Sequence, residues 1–218
     1  MYNIVCGDRT NPVQEHGKKL KIIFQNIQFL NNKQEQLEAL LHEHKPDIVI
    51  LAEHGLSYDK ICTSVPQGYV LKSAFCRTVQ KGGGVVIFVN KNLSILTENI
   101  KFVTEMSYEG IVEFVGIEIK SSKNTKELIV GVNSPPKITK QNLRFFYDKI
   151  NDVLEKSNLK NYNSTILFGD FNIHFCKMTT AAKEFLNIVN SYNLKRKIFS
   201  PTRITEKSES CIDNVFTD

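Results

Sequence analysis

The sequence predicts a layered α/β protein of mixed strand order, and three observations carry that reading. Short apolar runs that suit buried strands recur along the chain, amphipathic stretches with helical spacing separate several of them, and two β-rich runs are joined by only a polar turn. Strands in consecutive hairpins interleaved with helices point to layers of sheet and helix rather than to a purely parallel βαβ fold. The chain carries no internal repeat and no low-complexity segment.

Taken in order, residues 1–19 are polar, unpatterned and contain both Gly and Pro, so they read as a flexible leader. Residues 20–26 form a strand ending on an asparagine. Residues 33–44 place Leu37, Leu40 and Leu41 at helical spacing, Pro46-Asp47 closes that helix, and 48–53 is a buried strand ending on a glutamate. Gly82 to Gly84 introduce an apolar strand at 85–89. The runs 111–119 and 127–133, separated by the polar residues 120–126, read as a hairpin. Residues 139–156 put Leu143, Phe146, Ile150, Val153 and Leu154 on one helical face. A short buried strand follows at 165–169, then a helix near 179–192 with Ala182, Phe185, Leu186 and Val189 in register. The tail, 198–218, ends in a strand-like run at 211–216. Residues 20–218 are read as one domain.

Bulk properties narrow the function classes. At 218 residues with 41% hydrophobic content, the chain suits one sizeable domain with a real core. A formal net charge of +5 is compatible with a polyanionic partner without being diagnostic of one. The five cysteines (Cys6, Cys62, Cys76, Cys176, Cys211) lie far apart with no C-x-x-C pair, which argues for reduced thiols rather than a disulfide framework or a zinc site. No apolar stretch reaches the length of a membrane span, and the amino terminus lacks the apolar core of a signal peptide. The expectation is a soluble, intracellular protein.

Chemistry-bearing residues recur at the ends of apolar strands. They are Asn26 after K-I-I-F-Q, Glu53 after I-V-I-L-A, Asn133 after L-I-V-G-V, Asp170 and Asn172 after T-I-L-F-G, and Asp213 inside S-C-I-D-N-V-F. In extended chain Asp170 and Asn172 would project to the same side. Each residue alone has a structural explanation, since polar side chains naturally occupy strand ends. Converging on one rim, they would place Glu53 as a hard oxygen ligand to Mg²⁺ beside groups that bind water and phosphate.

These motifs, in chain order, resemble the exonuclease–endonuclease–phosphatase superfamily. The likeness is greatest to the apurinic-endonuclease-like endonuclease domains of non-LTR retrotransposons. It runs through F-Q-N-I at 24–27, P-D-I-V-I-L-A-E at 46–53, G-G-G-V-V-I-F-V at 82–89, G-V-N-S-P-P at 131–136, G-D-F-N-I-H at 169–174, S-P-T-R at 200–203 and S-C-I-D-N-V-F at 210–216. The resemblance implies a four-layer α/β sandwich, two packed mixed β-sheets flanked by helices, and metal-dependent phosphodiester hydrolysis. It implies Mg²⁺, or Mn²⁺, held by Glu53 with Asn26. Asp170 would orient or deprotonate the attacking water and Asn172 would bond the phosphate. Asp213 would buttress a histidine, and Thr202, Arg203, Lys195, Arg196 and Lys197 would contact the DNA backbone. The implied partners are DNA and a fused or downstream reverse transcriptase, with the nucleus as the place of action and a monomeric domain.

Two departures from the family pattern are visible. Asn133 stands where the family usually has a catalytic tyrosine; an amide can bond a phosphate oxygen but supplies no phenol. The family also closes with an S-D-H triplet on a further strand. All five histidines here (His16, His42, His44, His54, His174) precede the S-x-I-D motif, so the last strand is expected to be missing, with a sheet edge unpaired and Asp213 unpartnered. Three readings follow: an active target-DNA nickase serving retrotransposition, a catalytically impaired fragment that binds nucleic acid at most, or the same chemistry on a phosphoinositide, sphingomyelin or RNA tail.

Overall fold

Strand parity organises the molecule. The computed structural model of the chain describes residues 4–10, 19–120, 125–136, 139–205 and 208–218 (of 4–10 and 19, the backbone). The first sheet contains β1 (Ile4–Thr10), β2 (Lys19–Asn26), β3 (Ile48–Ala52), β4 (Tyr69–Phe75) and β5 (Val85–Asn90), in spatial order β1-β2-β3-β5-β4. The second contains β6 (Thr97–Asn99), β7 (Glu113–Lys120), β8 (Lys126–Asn133), β9 (Ser164–Asp170), β10 (Lys195–Arg196) and β13 (Asp213–Thr217), in order β10-β13-β9-β8-β7-β6. A small hairpin, β11 (Arg203–Thr205) with β12 (Ser208–Ser210), stands apart from both.

Alternate residues of each central strand face opposite layers. Ile22, Phe24, Ile48, Ile50, Val115, Ile117, Ile129, Phe168 and Val215 meet between the two sheets. Their sequence neighbours face outward: Ile23, Val49 and Leu51 pack under α1 (Gln34–His44) and α2 (Tyr58–Thr63). Leu128, Val130, Val132 and Leu167 pack under α4 (Lys140–Leu159) and α5 (Thr180–Ser191). The short helix α3 (Lys101–Glu105) lies along β7. The result is helix, sheet, sheet, helix, the sandwich implied by the resemblance. The helices that separate these strands begin and end on local signals. Thr139 and Thr179 cap α4 and α5 by accepting the N–H groups of Asn142 and Ala182, and α1 stops at left-handed Lys45 ahead of Pro46.

Each sheet has a single parallel pair whose strands are joined through a helix, β2 with β3 and β8 with β9. The carboxyl ends of both pairs lie at the same end of the sandwich, since Asn26 reaches Asp170 there. Such ends are where ligands bind in α/β folds. No helix among the described residues is long and apolar enough to cross a membrane.

The sequence reading needs correction in three places. The stretch read as a leader contains β1, whose backbone pairs antiparallel with β2 along the free edge of that strand. Strand β4 went unseen because its inward–outward pattern is broken by a register shift between Leu71 and Ser73 and its side chains are largely half-buried. Hairpin β11–β12 has almost no buried face and therefore no hydrophobic signature. Residues 121–124, within the turn read between β7 and β8, lie outside the described residues, but the two strands pair antiparallel from Glu113↔Asn133 to Lys120↔Lys126.

Candidate active site

The site is the continuation of the inner faces past the last apolar layer. Across the second sheet, Val115, Gly131, Phe168 and Val215 are register neighbours. Two residues further along each strand, the register sets Glu113 beside Asn133, Asn133 beside Asp170, and Asp170 beside Asp213. Parity keeps these four on the same face. Four polar side chains thus form one cross-strand row between the sheets. From the first sheet, Asn26 follows Ile22 and Phe24 at the same parity and donates through Nδ2 to Asp170 Oδ2 at 2.8 Å.

Glu53 joins this group by a turn. Directly after β3 its backbone adopts φ 55°, and its N–H donates to the Gly84 carbonyl at 2.8 Å while its own carbonyl accepts the Phe29 N–H at 2.9 Å. Its negative charge is felt by both Asp170 and Asp213. An open cleft of about 330 Å³ runs over Asp170 and Asp213. Asn26, Gln28 and Lys33 form one wall, and Thr202, Arg203, Ile204 and Thr205 form the other.

Crowding and burial make these acids harder to ionise. Burial first, then the neighbouring Asp213 charge, pushes the Asp170 carboxyl well above the usual carboxylate range, against the Asn26 and Asn172 hydrogen bonds that favour ionisation. Burial also raises Asp213, opposed chiefly by a bond from Thr202 and by the Arg203 charge. Thr202 has a second tie, accepting the Asp213 N–H at Oγ1 (3.2 Å).

A second network lies under the same row. Arg77 Nε–H donates to Glu113 Oε1, while Glu113 Oε2 accepts both the Gly84 N–H (2.7 Å) and Asn133 Nδ2–H (2.8 Å). Glu113 is fully buried and Arg77 nearly so. Gly84 has φ +84°, and a Cβ there would collide with the His54 ring, so only glycine lets that histidine lie against the strand entry. His54 is held as the neutral tautomer, with Nε2–H donating to the Phe75 carbonyl (3.0 Å) and Nδ1 accepting the Leu56 N–H (3.1 Å). Burial lowers its pKa. Sequence reasoning missed Glu113 and Arg77, although a glutamate at the inward parity of Val115 and Ile117 was a readable signal.

The structure therefore brings Asn26, Glu53, Asp170, Asp213, Thr202 and Arg203 together. It places the other candidates differently. Asn133 belongs to the row, but its amide is buried and turned to Glu113, leaving Oδ1 without a partner. Asn172 does not continue the strand: at φ 49° its chain turns, its N–H donates to Asp170 Oδ1 (3.1 Å) and its Nδ2 donates to the Ser134 carbonyl (2.5 Å). The expected i, i+2 alignment with Asp170 gives way to a turn that braces it. Lys195 and Arg196 pair with Thr217 and Phe216, at the end of β13 remote from Asp213, and the Lys197 N–H donates to the Val215 carbonyl at 2.8 Å. Arg196 is occupied by the Phe175 carbonyl and the Phe199 ring, 4.5 Å from its guanidinium carbon. These three cations flank the sandwich and do not line the cleft.

The donor set fits a hard cation. Asn26 Oδ1 and Asp213 Oδ1 are buried oxygens without hydrogen-bond partners, Asp170 bonds to Asn26 and neighbours Asp213 in register, and Glu53 lies near enough to act on both aspartates electrostatically. Among the described residues no three acidic, His or Cys side chains already close on one point. A hard cation held here would therefore rest on one or two protein carboxylates with amide oxygen and water completing its shell.

Comparison with known proteins agrees with the geometry. The model of the Endonuclease/Exonuclease/phosphatase family matches residues 23–218, and the chain belongs to that family. No curated protein sequence matches it. Among solved structures, the AP endonuclease of Leishmania major superposes with a TM-score of 0.68 at 13% identity, covering 91% of this chain and 78% of that one. The endonuclease domain of TRAS1, a telomere-specific non-LTR retrotransposon, gives 0.61 at 16% identity, with 90% and 83% covered. The mannosyl-6-phosphatase of Bacteroides thetaiotaomicron gives 0.62 at 15%, with 91% and 85% covered. The fold is thus one shared by nucleases and phosphatases.

Proposed function

We propose that this member of the endonuclease/exonuclease/phosphatase family is a Mg²⁺-dependent DNA endonuclease that nicks target DNA for retrotransposition. The observation that carries the reading is the pair Asp170 and Asp213, side by side in register beneath an open cleft, with Asn26 and Glu53 brought to them from the other sheet. Glu53 and Asn26 Oδ1 would hold Mg²⁺, with Mn²⁺ as a substitute. The ion supplies charge neutralisation at the scissile phosphate. Asp170, braced by Asn26 and the Asn172 N–H, would take the proton of the attacking water in its ionised form, which a cation beside it favours. Asn172 retains an unused amide N–H for a phosphate oxygen, and Lys33 and Arg203 face the cleft from opposite walls to meet the phosphates on either side. The S-P-T-R and S-x-I-D motifs are what favour retroelement DNA over the phosphoester of a sugar, since the TRAS1 domain and the mannosyl-6-phosphatase resemble the fold equally. On this reading a reverse transcriptase is the associated activity and the nucleus the place of action, both resting on the same motifs.

The test is conversion of supercoiled plasmid to the open circle in Mg²⁺. Nicking should vanish in EDTA and in Asp170→Ala, and nicking that persists in either would sink the assignment. A second reading, an impaired nuclease, is favoured by the unpartnered Asp213 Oδ1 and by the absence of a histidine from the cleft lining among the described residues. It expects salt-sensitive DNA binding with no nicking in any divalent metal.

A further inference from the structure

We propose that Phe29 is a stacking platform for a nucleobase beside the bond that is cut, and so determines which nucleotide the cleft accepts. The inference deepens the nuclease reading and rests on it. Gln28 and Phe29, in the connection between β2 and α1, both have positive φ, 47° and 70°. Phe29 pairs that φ with ψ 90°, a region where a bulky side chain is a steric outlier. Phe29 is 50% exposed, whereas Ile27 and Leu30 on either side of the Gln28–Phe29 pair are buried. The fold thus keeps a large apolar ring out of its core on a backbone that resists it. Such strain concentrates where geometry serves a ligand.

The ring is held rather than loose. The Phe29 N–H donates to the Glu53 carbonyl (2.9 Å), and its carbonyl accepts the Asn32 N–H (3.1 Å). One side of the ring lies over Gly55, where an added Cβ would come within 2.6 Å of it, and an added Cβ at Gly82 would meet it at 3.6 Å. The rest is open to solvent. Gln28, one residue earlier, lines the cleft with Asn26 and Lys33. A flat, apolar surface therefore stands at the edge of the cleft, tied through its backbone to Glu53 and one residue from the wall that carries Lys33. A base stacks on such a surface whatever its hydrogen-bonding edge, while the backbone phosphates are met by Lys33 and Arg203.

The test uses oligonucleotides carrying 2-aminopurine at successive positions, with Asp170→Asn in Mg²⁺ so that binding proceeds without cleavage. Aminopurine fluorescence should be quenched at one position, kept by Phe29→Tyr, and lost in Phe29→Ala and Phe29→Gly, with affinity falling roughly five- to a hundredfold. Phe29→Gly should also raise the melting temperature, because glycine accepts the backbone angles. A purely structural ring would show the opposite pairing: lower stability with quenching unchanged. Tight anisotropy-detected binding without a Phe29-dependent quench overturns the platform and leaves the nuclease reading standing. Absence of binding by any oligonucleotide overturns both.

Discussion

Replacing Glu113 by alanine removes the acceptor on which three buried donors converge. Arg77 Nε–H, Gly84 N–H and Asn133 Nδ2–H all point at its two oxygens, so an ionised carboxylate is the one side chain of this size that accepts at every contact. Removing one partner of a buried ion pair costs about 3–5 kcal/mol, and each neutral buried donor left unpaired adds about 1–3 kcal/mol. Arg77, at 11% exposure, can recover some water, which holds the expected total near 4–6 kcal/mol. For a domain of this size that is a fall in melting temperature of about 8–24 °C, from a total stability of about 5–15 kcal/mol. Glu113→Gln should cost less than alanine, since one terminal atom still accepts while the other becomes a donor facing donors. Urea unfolding in EDTA, followed by far-ultraviolet circular dichroism, reads the effect. Arg77→Met should be costly alone yet much less so in the Glu113→Leu background, with a coupling of about 1–3 kcal/mol. Single variants within about 1 kcal/mol of the parent, or an additive double variant, would refute the reasoning.

Three further outcomes are expected. Asp170→Asn should abolish nicking by at least about a thousandfold without lowering the metal-free melting temperature, because a neutral amide replaces a carboxyl that burial and Asp213 keep protonated, and Asn26 Oδ1 is free to accept from it; a melting temperature in EDTA several degrees below the parent would contradict this. The pH dependence follows from the same shift. A folded-state pKa raised above the unfolded value gives stability that is full below the unfolded carboxylate pKa near 4 and lost as pH rises through the neutral range. His54, shifted down, acts oppositely, full above about 6.5 and lost as pH falls below it. The melting temperature of the parent relative to Asp170→Asn in EDTA should therefore fall between pH 5 and 8, while stabilisation of the parent by Mg²⁺ grows; a flat difference would rule the shift out. Finally, Glu109 accepts the N–H groups of Gln80, Thr78 and Val79, bonds that hold its carboxyl down at about 2. Glu109→Gln should speed proteolysis within 77–82 with little change in global melting, and unchanged cleavage would show that this clasp does not order the loop.

Most of the site was legible because one physical rule writes it. Apolar alternation that ends in a polar residue at inward parity marks a strand leaving the core, and Asn26, Asp170 and Asp213 all obey that pattern. Glu53 was visible as the polar stop of a fully buried run. Asn172 was misplaced because its alignment assumed extended chain, and a left-handed turn that only the tertiary partner Ser134 explains bends it away. Lys195, Arg196 and Lys197 looked like neighbours of Arg203 in sequence, yet they lie along the outer edge of β13 from Thr217 to Val215 and none lines the cleft. Hairpin β11–β12, which forms a wall of the cleft, buries too little to leave any apolar period. What stayed hidden is thus what the core does not pack.

The row also explains why a cation is expected where it is. Glu113, Asp170 and Asp213 stand in one line of register, but the protein neutralises that line unevenly. At one end Arg77 is a permanent, buried counter-charge, and Asn133 insulates Glu113 from Asp170. At the other end the cations of the described cleft lining are Arg203, on an exposed hairpin, and Lys33 on the opposite wall, neither ion-paired to Asp170 or Asp213, and Glu53 adds a further negative charge. When these carboxyls ionise, that end is short of positive charge in a place where burial magnifies repulsion. A protein that can build the Arg77–Glu113 pair could have built a second one at Asp170. Leaving the shortfall beneath an open cleft makes room for a charge that arrives from solvent, and this gives the proposed Mg²⁺ dependence an electrostatic origin separate from family likeness.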